Sequence, residues 1–460
     1  MKIARDSLVD RLCQERNTED RKRIKLITGI RGSGKSSLMD MLADRFAGQG
    51  MEKDQIINLN FADLRYEDIC RENILYNFLS KKISTGLPLV IILQEMRYTE
   101  NIEKTIDSLS VYDNADIYIT TSETYLEEEE LDHMLFGKYI RINVLPLSFS
   151  EFAAYARLTD LLGKGPENHD PDRLYAAYLR EGGFPYILYS LAENAACKPE
   201  KAPLGHLTPA ALGSRYVQSL YDAILIHDIV PHRQISDTPI LEYLFYFLCR
   251  HIGQTLSPKK ISDTLRLAGR PTNTRTVDSY IQAFEQTCLV YRIKRYDLAK
   301  DMPLKTLEKY YIADLAFRTC IFHLENDPSS PALLENLICL QLIRGGWKVY
   351  SGKLGTGQIT FTALRKDPKT GREERCYIQV SGTSSIFEQE TESPVSEGGS
   401  EEQKKTGSPS PALATNIRSF IALYKKIKDN YPKYIVSFDP KEYDLSGIKC
   451  IPALKFLERS

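Results

Sequence analysis

What this 460-residue sequence lacks narrows its class before any motif is considered. No stretch approaches the roughly 18 uninterrupted apolar residues of a membrane span. The opening MKIARDSLVDRLCQER alternates charged with apolar side chains and has no secretory-type apolar core. None of the nine cysteines forms a CxxC pair, and most sit in apolar runs such as YFLCR. An odd number of dispersed thiols argues against disulfides and zinc ligands, and for a reducing, cytoplasmic setting. The seven histidines are equally scattered. The nearest pair, His227 and His232, has Pro231 between, which spoils a shared helical face, so no metal centre is expected there. Sixty basic against 61 acidic side chains leave a net charge of -1, so any nucleic-acid contact must come from a local patch.

The content that remains is ordinary for a globular protein, at 42% hydrophobic and 26% charged residues. At roughly 150 residues per domain the length suggests about three domains. Residues 1–150 hold five strand-length runs separated by helical spacers: KLIT, IINLNF, PLVIIL, DIYIT and YIRINV. That alternation predicts a parallel sheet covered by helices. Residues 151–237 read as a helical lid and 238–300 as a winged helix. From 301 to 460 strand runs return (WKVYSG, GQITFTAL, CYIQVS, KYIVSF). Within them, 382–413 is rich in Ser, Glu, Gly and Pro and reads as a mobile insertion, too poor in apolar surface to offset ordering entropy.

The strongest pattern is Gly29-Ile30-Arg31-Gly32-Ser33-Gly34-Lys35-Ser36, a complete GxxxxGK[ST]. A strand pattern enters it, and the segment after it places Leu38, Leu42 and Phe46 on one helical face. Glycines let the loop curl until successive N–H groups face phosphate oxygens, and the helix N-terminus adds partial positive charge. The pattern predicts a nucleotide site from Gly29 to Ser37, with ATP as ligand. Lys35 would reach the β- and γ-phosphates, and the Ser36 hydroxyl would ligate Mg²⁺. Hydrolysis also needs an acidic pair at the end of a neighbouring strand, an Asp for the metal shell and a Glu to activate water. The candidate strand, LVIILQE, ends in Gln94 and Glu95. Gln94 offers only a dipole, while Glu95 is the candidate catalytic base. Beyond the next strand come Thr121, Ser122 and Glu123, and an acid at 123 facing a triphosphate would repel it.

In the middle region a first helix, Ile240 to His251, presents Leu241, Leu244, Phe245 and Leu248 on one face. Ser257 and Pro258 read as the N-cap and first-turn proline of a helix reaching Leu267. Thr274 is expected to cap a third helix with Val277, Tyr280, Ile281 and Phe284 inward, followed by the hairpin-like LVYRIKRYD. Between 251 and 300 nine Lys/Arg stand against four Asp/Glu. Arg275 near a recognition-helix start, with Arg292, Lys294 and Arg295 on the wing, are candidate contacts to duplex DNA. Docking of an unknown protein on a solvated charged face is the alternative.

Read together, these segments resemble the prokaryotic AAA-type P-loop ATPases that carry a C-terminal nuclease-like domain of unknown function. The matching stretches include IKLITGIRGSGKSSLM, FGKYIRINVLPLSFSEF, GGFPY, LSPKKISDTL, TVDSYIQAFEQTCLVYRIKRYDL, KYYIADLAFR, LLENLICLQLIRGGWKVYSGK, YIQVSG and DNYPKYIVSFD. The resemblance implies an α/β architecture in three parts. A P-loop parallel-sheet AAA-type domain precedes a helical and winged-helix middle and a degenerate restriction-endonuclease-like α/β domain. Where that family has Asp-Glu this chain has Gln94-Glu95, where it has Gly-Ser-Asn this chain has Thr121-Ser122-Glu123, and Lys138 replaces an Arg. Phosphate binding should survive and turnover should be slow or absent, because a metal-shell carboxylate is missing. Arg141 and Lys138 are candidates for a cation supplied in trans, which would require an oligomer. In the C-terminal part Glu335 matches the family's helical acid, but Thr360 stands where the metal-binding Asp is usual, and Gln379 and Ser381 follow. No carboxylate pair converges there, so nuclease activity is not expected, and Glu335 should support the fold as an acceptor. The expected function is an ATP·Mg-dependent switch. The alternatives are a DNA- or protein-binding module with a relic nucleotide site, or an active ATPase using Glu95 with a rearranged metal shell.

Overall fold

The computed structural model describes residues 3, 5–15, 24–96, 99, 102–109, 111–121, 139–163, 165–196, 209–233, 235, 237–367, 370–382, 429–445 and 447–459. Ser122, Glu123, Lys138 and nearly all of the 382–413 segment lie outside the described residues.

All five N-terminal runs are strands. They are β1 (Ile24–Thr28), β2 (Ile56–Asn60), β3 (Leu89–Gln94), β4 (Ala115–Thr120) and β5 (Tyr139–Asn143), parallel in the order β2-β3-β4-β1-β5. The period of two in a strand sends alternate side chains to opposite faces. Val90 and Ile92 of β3 therefore pack with Tyr118 and Ile142 against α1 (Asp6–Glu15) and α2 (Lys35–Gly48), through Leu12, Leu38, Leu42 and Phe46. Leu89, Ile91 and Leu93 pack on the other face against α3 (Glu72–Ile83) and α4 (Ile102–Leu109). Apolar cover on both faces is what makes the runs read as continuous rather than alternating. A buried ion pair sits inside this sheet: Lys25 pairs with Asp116, which also accepts from the Tyr118 hydroxyl at 2.9 Å.

The helical layer comprises α5 (Phe149–Leu158), α6 (Pro171–Glu181), α7 (Pro185–Ala196) and α8 (Pro209–Ala223). The last runs through a π-helical turn, Ile224–Ile229, into α9 (Val230–Arg233). A capping box opens α5: Ser148 Oγ accepts from the Glu151 N–H, and Glu151 accepts from the Ser148 N–H at 2.7 Å. Then come α10 (Thr238–Arg250), α11 (Pro258–Leu267) and α12 (Thr274–Gln286), with every inward residue expected from the sequence buried. The cap of α12 differs from expectation. Asn273, not Thr274, is the N-cap and accepts from the Thr276 N–H at 2.9 Å. Asn and Thr are both competent caps, and spacing alone does not rank neighbours.

After α12 a hairpin forms from β6 (Val290–Asp297) and β7 (Met302–Ile312), and Leu256 bridges to Glu308 beside it. The expected boundary at 300/301 thus falls inside a hairpin. The second sheet continues through α13 (Ala316–Cys320), α14 (Pro331–Arg344), β8 (Lys348–Leu354), β9 (Gly357–Lys366), β10 (Glu373–Val380), β11 (Lys433–Ser437), β12 (Tyr443–Leu445), β13 (Ile448–Pro452) and α15 (Ala453–Leu457). Its eight strands run β12-β13-β11-β10-β9-β8-β6-β7, so the hairpin is the edge of the C-terminal sheet through the parallel β6–β8 pair. A single apolar core links Ile3, the helical layer and Leu457.

The helical layer is tied to this sheet at Asp314. The Gly183 and Ala316 N–H groups donate to its carboxylate at 2.7 and 2.8 Å, and any side chain at Gly182 would overlap that carboxylate. Burial pushes the Asp314 carboxyl up to about 7 against the pull of these two donors. A carboxyl raised on folding contributes most stability below its ordinary unfolded value, and that contribution is lost as pH rises through about 7. Urea midpoints are therefore expected to fall as pH rises from the ordinary carboxylate range to about 7. Asp314→Asn, which cannot satisfy both N–H donors, should be less stable throughout yet show a flatter slope over that interval.

Candidate functional site

The GxxxxGKS segment links β1 to α2, and its helix starts at Lys35. Gly32 adopts φ +80°, a left-handed conformation that the loop requires and side-chain-bearing residues resist. Gly29, Ile30 and Ser33 are buried, Arg31, Gly32, Gly34 and Ser36 half-buried, and Ser37 exposed. Lys35 folds back to donate to the Gly29 and Ile30 carbonyls at 2.8 and 3.2 Å. Burial pushes its ammonium below the ordinary value, and the Glu95 carboxylate is the strongest influence in the other direction. Two buried polar atoms of this region, Ser33 Oγ and Gln94 Oε1, have no hydrogen-bond partner among the described residues. A curled loop on a helix N-terminus, a lysine beside a carboxylate and two such orphaned oxygens suit a triphosphate with its Mg²⁺.

Neighbouring elements grip the loop from two sides, and the loop motif itself gives no sign of either. Arg5, beyond the motif's reach, donates to the Ser33 carbonyl at 3.0 Å, the Leu145 carbonyl at 3.1 Å and Glu151 Oε1 at 2.9 Å. On the other side Arg31 pairs with Asp228 of the π-helical turn, with Nε–Oδ2 at 2.9 Å. Asp228 is nearly inaccessible, so the pair seats the helical layer on the loop. The only hint in the sequence is that ILIHDIV places an acid inside an apolar helix, where an unpaired charge is costly.

At the end of β3, Gln94 follows Val90 and Ile92 onto the face covered by α2. Its Nε2 donates to Asn58 Oδ1 at 2.8 Å, and Asn58 donates in turn to Asp40 of α2 at 3.2 Å. Glu95 comes next with φ +55°, leaving the strand, and its N–H donates to Thr120 Oγ1 at 3.2 Å. The structure thus brings Lys35, Gln94 and Glu95 to one end of the parallel sheet, where ligands bind in open α/β folds. Arg141 lies half-buried within β5.

Residues 21–153 match the family model of the AAA domain, and 172–328 match that of a domain of unknown function, DUF8612. An uncharacterized protein of Haemophilus influenzae is 31% identical over 379 residues, covering 82% of this chain and 86% of that protein. The chain belongs to its family. With the P-loop geometry, the match makes the N-terminal part an AAA-type P-loop domain. An uncharacterized protein of Methanocaldococcus jannaschii is 23% identical, covering 71% of this chain and 67% of its own length. A solved structure, a Walker-type ATPase of Pyrococcus abyssi, is 15% identical with a TM-score of 0.46, covering 69% of this chain and 95% of that one. The second family model spans both boundaries expected at 237/238 and 300/301, and ends before the C-terminal strands from β8 onward.

Outside the AAA-type domain the candidate residues are not gathered into one site. Arg292 is surrounded by carboxylates, at 3.1 Å from Asp278, 2.9 Å from Glu285 and 3.6 Å from Glu308. A guanidinium with three acids around it is less open to a phosphate than its place on the wing suggests. Arg295 is half-buried in β6, whereas Arg275 and Lys294 are exposed. In the C-terminal sheet Thr360 and Gln379 are spent on each other's strands, through Thr360 N–H to Gln379 Oε1 at 3.3 Å and Val380 N–H to Thr360 Oγ1 at 3.2 Å. Glu335 accepts from Lys309 at 3.0 Å and the Tyr311 hydroxyl at 2.9 Å, the supporting role expected of it. No group of three or more potential metal-ligating side chains occurs among the described residues, and no described helix is long and apolar enough to cross a membrane.

Proposed function

We propose that the chain is an ATP·Mg-dependent switch with slow or absent hydrolysis. The observation that carries this reading is the pairing of an intact cradle around Lys35 with the neutral Gln94 at the position of the metal-shell acid. Lys35 would exchange its two carbonyl acceptors for phosphate oxygens, Ser36 would hold Mg²⁺, and the loop N–H groups from Gly29 to Ser37 would orient the phosphates. Mg²⁺ would supply charge neutralisation for the phosphates. Glu95 would orient water, but Gln94 would contribute a dipole where a full charge would hold the metal shell. The switching part is supported by the Arg31–Asp228 pair, through which a change at the loop would reach the helical layer.

The decisive comparison is MgATP binding and steady-state turnover for wild type, Lys35→Ala and Gln94→Asp. Tight, Lys35-dependent binding with negligible turnover is expected, and Gln94→Asp should raise turnover by roughly ten- to a hundredfold. Ready turnover by the wild type would instead favour an active ATPase relying on Glu95 and another ligand. Absence of binding would end the nucleotide reading.

The order α10, Leu256 bridge, α11, α12 and β6–β7 hairpin supports a winged-helix reading of the middle region. With Arg292 among acids, duplex DNA would have to rely on Arg275, Lys294 and the half-buried Arg295, so docking of a protein partner is the better reading of that module. A nuclease-like ancestry for the C-terminal part is supported by α14 followed by antiparallel β8-β9-β10 and the parallel β10–β11 pair.

A further inference from the structure

Two aromatic rings flank the phosphate loop on the helical layer. Tyr186 and Tyr216 lie with ring centroids 4.5 Å apart and planes inclined by 31°. Both are tied to the loop. The Tyr216 hydroxyl stands 2.8 Å from where a side chain at Gly32 would begin, and the Pro185 ring, just before Tyr186, lies 3.3 Å from the same point at Gly34. Tyr216 is held edge-on by Phe184, with centroids 6.3 Å apart, and burial raises its phenol, which stays neutral at physiological pH. Tyr186 behaves differently: one ring face leans on Tyr216, yet the residue is 55% exposed. The ring thus has one face packed and the other open to water, one residue from the Pro185 contact with the phosphate loop. Aromatic rings in that position offer a π-face to a nucleobase.

We propose that Tyr186 and Tyr216 form the nucleobase platform of the site, with Tyr186 stacking on the purine and Tyr216 backing it. The inference rests on the nucleotide reading above and adds the part of the ligand that the phosphate motif does not address. Stacking is sequence-tolerant and large, so the pair would decide how much of the affinity for ATP comes from the base rather than the phosphates.

Calorimetric titrations of the full chain with MgATP and with magnesium tripolyphosphate, which has no base, separate the two contributions. Tyr186→Ala should weaken MgATP roughly tenfold and leave tripolyphosphate affinity unchanged. Tyr186→Trp should retain ATP affinity, and its indole fluorescence should be quenched by ATP but not by tripolyphosphate. Unchanged ATP affinity in Tyr186→Ala would overturn the proposal, as would equal losses for both ligands, which would mean that the ring merely shapes the loop. Failure of the underlying nucleotide reading looks different: tripolyphosphate would then bind Lys35→Ala as well as wild type.

Discussion

Arg5→Ala is expected to lower stability by roughly 3–5 kcal/mol, the scale seen when a buried ion pair loses one partner. Three separate demands converge on this guanidinium: the Ser33 carbonyl of the phosphate loop, the Leu145 carbonyl after β5, and the Glu151 carboxylate of the α5 capping box. Burial opposes the charge on Glu151, but Arg5, Arg344 and the Ser148 N–H together hold its carboxyl below the ordinary range. Without Arg5 that carboxylate keeps its desolvation cost and loses its main partner. Urea unfolding followed by circular dichroism would measure the loss. Arg5→Lys should recover only part of it, because an ammonium cannot reproduce the fork. The double variant Arg5→Ala/Glu151→Gln should be more stable than Arg5→Ala alone, and a simple sum of the two losses would show that the pair is not coupled.

Lys35→Ala should reduce MgATP affinity at least about a hundredfold while changing the urea midpoint little. The ammonium is desolvated, and among the described residues its hydrogen bonds go to two backbone carbonyls, so a phosphate would give it a charged partner in direct contact. In the protein alone, the alanine variant loses two hydrogen bonds but also sheds the cost of a buried charge, and the two effects oppose each other. Titration calorimetry on the same preparation used for unfolding would check both halves. Affinity close to that of wild type in a folded Lys35→Ala variant would remove the phosphate-cradle reading.

The nucleotide end of the molecule is legible in the sequence because its signals are local. A GxxxxGKS string between a strand run and a helical face can form few structures, and the five apolar runs are readable because both faces of the sheet are covered. The features that escape a reading of the sequence come from long-range geometry. Arg5 meets Glu151 across 146 positions and Arg31 meets Asp228 across 197, and no local pattern marks such partners. β7 gives no strand signal because its first half is an exposed edge, and its side chains are buried only from Glu308 to Ile312. The wing arginine misleads for a related reason: a charge count between 251 and 300 treats Asp278 and Glu285 as diluting the patch, whereas they sit directly on Arg292.

The position of Asp228 against Arg31 depends on the extra residue that a π-helical turn holds. A π turn accommodates one residue more than an α-helical path, and each added residue rotates the downstream side chains by about 100°. Ile224, Leu225, Asp228 and Ile229 face inward across this turn while Ile226 is left in solvent. Removing Ile226 would return the segment to an α-helical register and swing Asp228 away from Arg31. A single-codon loss in this helix is therefore expected to break the Arg31–Asp228 pair while leaving the Tyr216 and Pro185 contacts with the loop in place.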